Sequence, residues 1–365
     1  MRLSKILRRL AAAFALLLLA CAFVLWVRPP DLLRVGANYS AKIVCSNVFL
    51  AGRDPDEVLR TDVQAPGVGL LRLMRVSVDR ERRVVRAGLL GFIGDGLAME
   101  RPGNGCTVVP DGNLSIARRV RLGAAAGDRT PAGAAPGSSA DGAADWPIGN
   151  AVAMSSGLRF NEAYGAVSDV TRMLYLEPDM AGFARAQPLA HPAGEFWSYS
   201  SGTANILSRI VQDAAGRFGA EYPAEKLFRP LGMTSATMET DESGTLVGSS
   251  YMYATARDWA RYGQFLLQDG VWRGQELLPR GFVGMMAAPV AASGGQYGHG
   301  LVWLWDSDAV TPGIPADTFW MEGHDGQSTA IIPSRDLVIV RLGLTPSRVR
   351  YTPQRLVRAV LQATK

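Results

Sequence analysis

Residues 123–147 read GAAAGDRTPAGAAPGSSADGAADWP, and this stretch divides the chain. Built from Ala, Gly, Pro, Ser and Asp, it cannot bury enough apolar surface to offset the entropy of ordering it, so it reads as a flexible linker. Whatever core the protein has must form on either side. The chain is long enough for that. Its 365 residues are 48% hydrophobic and 19% charged, which fits about two globular domains.

The N-terminus carries a second strong signal. Arg2, Lys5, Arg8 and Arg9 precede an uncharged run from Leu10 to Val27, closed by Arg28, Pro29 and Pro30. Such a run predicts a single membrane-spanning helix within an anchor of residues 1–30. With the positive charge ahead of it, the bulk of the chain is expected in the periplasm or outside, tethered to the inner membrane. A cleaved signal peptide is the alternative, but the run is long for one and has no clear small-x-small cleavage site before the prolines. The net charge of +5 rests almost wholly on scattered arginines, with no basic stripe interleaved with aromatics, which argues against a nucleic-acid partner. Beyond the run the cysteines are Cys45 and Cys106; one bridge is open to them, and the sequence leaves the pairing undecided.

Residues 38–122 are expected to form a small β-rich unit. Leu71, Leu73, Val76 and Val78 lead into the polar turn Asp79-Arg80-Glu81-Arg82, and Val84, Val85, Leu89 and Leu90 lead away from it, which is a hairpin pattern. After the linker, residues 148–365 alternate helical and extended signals. Helices are predicted from Thr203 to Ala215, from Thr255 to Gln268 behind a Thr255-x-x-Asp258 start, and from Pro353 to Ala363. Strands are predicted over Leu301–Trp305, Thr329–Ile332 and Leu337–Leu342. The fold class expected is α+β.

Several chemistries are excluded. His191, His299 and His324 lack the H-E-x-x-H spacing, no C-x-x-C pair is present, and neither a metal site nor a cofactor is expected. No G-x-S-x-G elbow and no G-x-x-x-x-G-K-S/T loop occurs. Three segments do stand out, in this order: Met154-Ser155-Ser156-Gly157-Leu158, then His191-Pro192-Ala193-Gly194-Glu195-Phe196-Trp197-Ser198-Tyr199-Ser200-Ser201-Gly202, and Gly323-His324-Asp325-Gly326-Gln327. Together they resemble the β-lactamase-like serine hydrolases, which include class C β-lactamases, D-alanyl-D-alanine carboxypeptidases and related esterases and amide hydrolases.

The resemblance implies a β-lactamase/transpeptidase-like domain, a helical cluster with an antiparallel sheet and a closing C-terminal helix, acting on a small-molecule or peptide-like amide, ester or peptidoglycan-type substrate. Tyr199-Ser200-Ser201 is similar to the family's Tyr-x-Asn motif, with Ser201 where Asn is commoner. His324-Asp325-Gly326 is similar to its Lys-Thr-Gly motif. Tyr199 would then shuttle a proton, Ser201 would hydrogen-bond in that network, and His324 would face the substrate or Tyr199. Gly326 would let the substrate approach, and the backbone N–H of Gln327 would be an oxyanion donor. Ser155 and Ser156 are expected to shape a turn.

One part of the pattern is missing. The family's nucleophile lies in S-x-x-K, and the residues three before the four lysines, at 5, 42, 226 and 365, are Arg2, Tyr39, Pro223 and Gln362. No serine nucleophile can be assigned. In the family that motif precedes the segment similar to Met154–Leu158, which here follows the linker almost directly. The domain is therefore expected to be incomplete and the chain inactive in acyl transfer, with a non-catalytic binding module as the alternative.

Overall fold

The computed structural model describes residues 2–120, 148–304, 312–346 and 349–364; within helices, the side chains of 2–9, 17–19, 21, 148 and 150 are not described, nor are those of 217 and 218. The expected linker, 123–147, lies outside the described residues. Two compact units emerge: the first holds residues 1–102, 106–118 and 163–178, and the second 103–105, 119–162 and 179–365.

The first unit begins with α1 (Arg2–Val27), and here the expected membrane span is corrected. Among the described residues no helix is long and apolar enough to cross a membrane. The single-pass inner-membrane placement falls with it, as does attachment to a membrane through this helix.

Helix α2 (Asp31–Ala51) follows, starting behind Pro30 and ending on Gly52 in the left-handed conformation. Residues 38–51 of the expected β-rich unit are therefore helical. The strands are β1 (Met74–Asp79), β2 (Val84–Leu89), β3 (Ile93–Arg101) and β4 (Gly105–Val108), in the order β1-β2-β3-β4. β1 and β2 make the predicted hairpin, Met74 opposite Leu89 and Asp79 opposite Val84. α2 packs on the sheet through Ala41, Val44, Cys45 and Val48, against Met74, Val85 and Ala98. Cys45 and Cys106 are joined as a disulfide, Cα to Cα 6.0 Å. Polar side chains add direction to this core. Asn38 donates through Nδ2 to the carbonyl of Tyr175 at 2.7 Å and accepts from the Leu97 N–H at 3.0 Å, so one buried amide ties α2 to β3 and to α3 (Asp169–Leu176).

The second unit contains α4 (Met180–Arg185), α5 (Ser201–Ala214), α6 (Ala256–Leu267), the strands β5 (Phe319–Glu322), β6 (Ser328–Ile332) and β7 (Leu337–Arg341), and the closing helix α7 (Pro353–Ala363). The sheet is antiparallel with β6 in the middle, Ser328 facing both Glu322 and Arg341. α6 lies on β6 and β7, and Gly263 permits the approach: a Cβ there would meet Val338 Cγ1 at 2.5 Å. Phe265, Leu266, Ile331 and Phe319 form the core between them. Val357 and Leu361 of α7 pack with Trp320 and Ile332 in a second cluster. This is an α+β architecture. Residues 301–304 do not make the full predicted strand; Trp303 forms a single bridge to Trp320, and Trp305 lies outside the described residues. At the start of α6, Thr255 Oγ1 accepts from the Asp258 N–H at 3.3 Å, but the Asp258 carboxylate turns to the Ser235 N–H and hydroxyl, so the cap is one-sided.

Candidate functional site

The first two motif segments hold each other in place. Gly157 has φ +76°, and its carbonyl accepts from the Ala190 N–H at 2.8 Å and the His191 N–H at 3.3 Å. A Cβ on Gly157 would lie 2.0 Å from the His191 oxygen. On either side, the Ser155 carbonyl accepts from Gly194 N at 2.7 Å and the Met154 carbonyl from Ser198 N at 2.9 Å. Ser156 is 2% exposed, with its hydroxyl 2.8 Å from that of Thr203 in α5. The segment Met154–Leu158 thus shapes a cradle for the chain that leads to Tyr199.

Tyr199 stands immediately before α5, which Ser200 caps by accepting the Thr203 N–H at 3.0 Å. Ser201, the first residue of the helix, is 1% exposed. Both its N–H and its hydroxyl are donated to one carboxylate, Glu162, at 2.5 and 2.9 Å. An anion at that helix end is electrostatically favoured. It also reaches the phenol: Tyr199 is held above its usual pKa by crowding against protein atoms, then by the Glu162 charge, with the nearby Ser201 side chain opposing. The residue as a whole remains 42% exposed, so the phenol's environment combines a solvent-facing ring with a carboxylate neighbour. Glu162 gives no signal in the sequence, since Phe160-Asn161-Glu162 matches no motif.

The third segment forms a tight turn between β5 and β6. Asp325 has φ +57° and Gly326 φ +85°, and the Gly323 N–H donates to the Gln327 carbonyl at 2.9 Å. Arg341 clasps the turn: Nη1 donates to the Gly326 carbonyl at 2.5 Å and to that of Gly343 at 3.1 Å, Nη2 donates to Thr345 Oγ1, and the guanidinium lies 4.3 Å from the centre of the Tyr351 ring. The α-carbon of Gly326 faces Arg341 and Tyr351. The Gln327 amide makes two bonds of 2.9 Å to the backbone of Gly343. The His324 side chain is 70% exposed, with Nε2 3.5 Å from Asp325 Oδ2.

Tyr199 and Ser201 are thus brought together with Glu162, and His324, Gly326 and Gln327 with Arg341. A run of aromatic rings connects the two groups. Trp197 stacks on Tyr297 at 4.1 Å between centroids, Tyr297 lies 4.2 Å from Trp303, and Trp303 exchanges backbone hydrogen bonds of 2.9 and 2.8 Å with Trp320 of β5. The Tyr297 phenol is pushed up by burial, then by Glu322 at the end of β5 and by Tyr199, so both groups lie within its electrostatic reach. Among the described residues no cluster of His, Cys, Asp and Glu could hold a metal ion.

The sequence model of the Beta-lactamase family matches residues 108–361. A 6-aminohexanoate-dimer hydrolase of Paenarthrobacter ureafaciens is 27% identical over 164 residues, 42% of this chain and 40% of that one. Among solved structures, a putative 6-aminohexanoate-dimer hydrolase from Bacillus anthracis is similar at 21% identity and TM-score 0.48, covering 60% of each chain. A penicillin binding protein from Bacillus halodurans is similar at 17% identity and TM-score 0.45, covering 69% of this chain and 81% of its own. The chain spans less than half the length of the curated relative. With the ordered motif segments and a family match across more than half of its residues, the chain belongs to the beta-lactamase family.

Proposed function

We propose that this chain is a beta-lactamase-family hydrolase domain for amide, ester or peptidoglycan-type substrates that binds its ligand without forming an acyl-enzyme. Tyr199 and His324 are the residues that would face the ligand, with Ser201, Gly326 and Gln327 of the same motif segments behind them, all after residues 123–147. The observation that carries the reading is the pairing of Ser201 with Glu162. A phenol becomes a useful proton acceptor when neighbouring cations lower its pKa. Here the neighbour is a carboxylate, which pushes Tyr199 the other way. The lysine that would supply positive charge is missing together with the S-x-x-K serine. Ser201 does not replace that serine. It is buried, and both of its donors are committed to Glu162. An unassisted hydroxyl elsewhere is a poor nucleophile, because it is almost wholly protonated at neutral pH.

The test is intact-mass measurement of the folded full chain after incubation with a fluorophosphonate and, separately, with a β-lactam. No adduct is expected with either. A stoichiometric adduct on any serine would overturn the non-acylating reading, and peptide mapping would identify the nucleophile.

A further inference from the structure

β7 (Leu337–Arg341) is an edge strand built like an interior one. It pairs with β6 along its whole length, from Ile332 opposite Leu337 to Ser328 opposite Arg341, with no bulge. Among the described residues its other edge carries no backbone hydrogen bond. Both faces are covered. Val338 packs under α6 with Phe265 and Ile331, while Leu337 and Ile339 pack with Val357 and Leu361 of α7. What remains open is the row of N–H and C=O groups along Leu337-Val338-Ile339-Val340, and every residue of the strand is half-buried. Such an edge is a template for another strand unless something guards it. Two other edges are guarded. β1 alternates the exposed Arg75, Ser77 and Asp79, and Gln64 Nε2 donates to its Met74 carbonyl at 3.1 Å. β5 is bridged by Trp303, with bonds of 2.9 and 2.8 Å to Trp320. β7 has no proline and no lysine, and its one charge, Arg341, is turned to the Gly326 carbonyl.

We infer that β7 is the homodimer interface of this chain, pairing antiparallel with β7 of a second copy about Ile339. A two-fold axis sets a strand antiparallel to its own copy, and using up the open edge on each copy closes the assembly at two. In this register Ile339 faces Ile339, Val338 faces Val340 and Arg341 faces Leu337. Apolar side chains therefore meet at the centre, and no like charges oppose. α6 fits the same axis. Gly263 lies on Val338, and Phe265 and Leu266 turn from there toward Phe319 and Ile331 of β5 and β6. The flank on the other side of Gly263 holds Ala260 and Leu267, three residues before it and four after, both half-exposed. Paired strands lie about 4.8 Å apart. With α6 seated over β6 and β7, its two copies come about 10 Å apart, a distance at which helices pack. The small Ala260 leaves room for that approach.

The test is the solution mass of the full chain at micromolar concentration, by light scattering after size exclusion. Twice the mass of one chain is expected. A monomer throughout would overturn the interface, including the case in which another segment of the same chain takes the edge. Val340→Lys, which puts a charge on the edge strand, should return the mass to that of one chain; a dimer that persists in the folded variant would overturn the assignment to β7. Should that variant fail to fold, as judged by circular dichroism, cross-linking decides. The Cys45–Cys106 bridge leaves Cys21 as the remaining cysteine. In a Cys21→Ser background, Ile339→Cys should give a disulfide-linked dimer under mild oxidation, because residue 339 meets its own copy across the axis. Leu344→Cys, more exposed than Ile339 but roughly 30 Å from its own copy in this register, should give none. No link through residue 339, or equal linking through both positions, would overturn the pairing.

Discussion

Gly157 shows how much of the site depends on one missing side chain. Its left-handed φ and the 2.0 Å that would separate a Cβ from the His191 oxygen act together. Gly157→Ala should therefore destabilise the second unit by about 1–3 kcal/mol, the range for an L-residue forced into such a conformation plus a backbone clash. Urea denaturation of the two proteins measures it, and a change below the error of the fit would show that the cradle yields easily. The expectation that Ser155 and Ser156 shape a turn had a physical basis in the sequence, where a Ser-Ser-Gly run follows Met154. Nothing there pointed to Glu162, because a carboxylate that reaches a helix start 39 residues later leaves no periodic trace. Arg341 was hidden at the end of a run read only as a strand, and Glu322 lies in a stretch for which no element was predicted.

Among elements, the three helices with the plainest 3.6-residue periodicity, α5, α6 and α7, were the most legible. Their ends agree with Thr255, Gly216 and Pro353 to within a residue or two. α2 was not legible as a helix. Ile43, Val44, Val48 and Phe49 favour strands by side-chain shape, and a buried Lys42 whose Nζ donates to Ser46 at 3.0 Å broke the apolar face. Tertiary packing on β2 and β3 overrode that local preference. The Cys45–Cys106 bridge then fastens α2 to β4 across 61 residues of sequence. Breaking it removes a restraint on the unfolded chain, and Cys45→Ser with Cys106→Ser should cost about 2–4 kcal/mol. Thermal unfolding of the double variant against the oxidised protein checks this. Equal midpoints, or free thiols detected in the denatured, unreduced wild type, would mean that the bridge contributes nothing.

For the molecule as a whole, two buried acids set the response to pH. Asp241 is raised from 3.8 to about 6 by burial, against hydrogen bonds from Ser243, Met180 and Thr245, while Glu322 is raised from 4.5 to about 7 by burial alone. Each holds its proton more tightly in the folded than in the unfolded chain. Their contribution to stability is therefore complete below about pH 4 and is lost as pH rises through 6 and 7. Allowing for the partial exposure of Glu322, each should contribute on the order of 2 kcal/mol to that loss. Stability measured from pH 4 to 8 should fall with this slope, and Glu322→Gln should flatten its upper part; a rise over the same interval would contradict both assignments.

The first unit is not continuous in the sequence. It takes residues 163–178 from beyond the linker, and these supply the Tyr175 carbonyl that receives Asn38 and the Arg172 guanidinium that pairs with Asp31 at 2.6 Å. In the language of gene architecture, the first unit is a host whose sequence is interrupted by residues 119–162. A split protein cut within 123–147, where composition invites the cut, would deprive the host of one of its own helices. A cut after Pro178 completes the host but strips the second unit of residues 119–162, with the Gly157 cradle and the Glu162 carboxylate, so neither single cut yields two whole units.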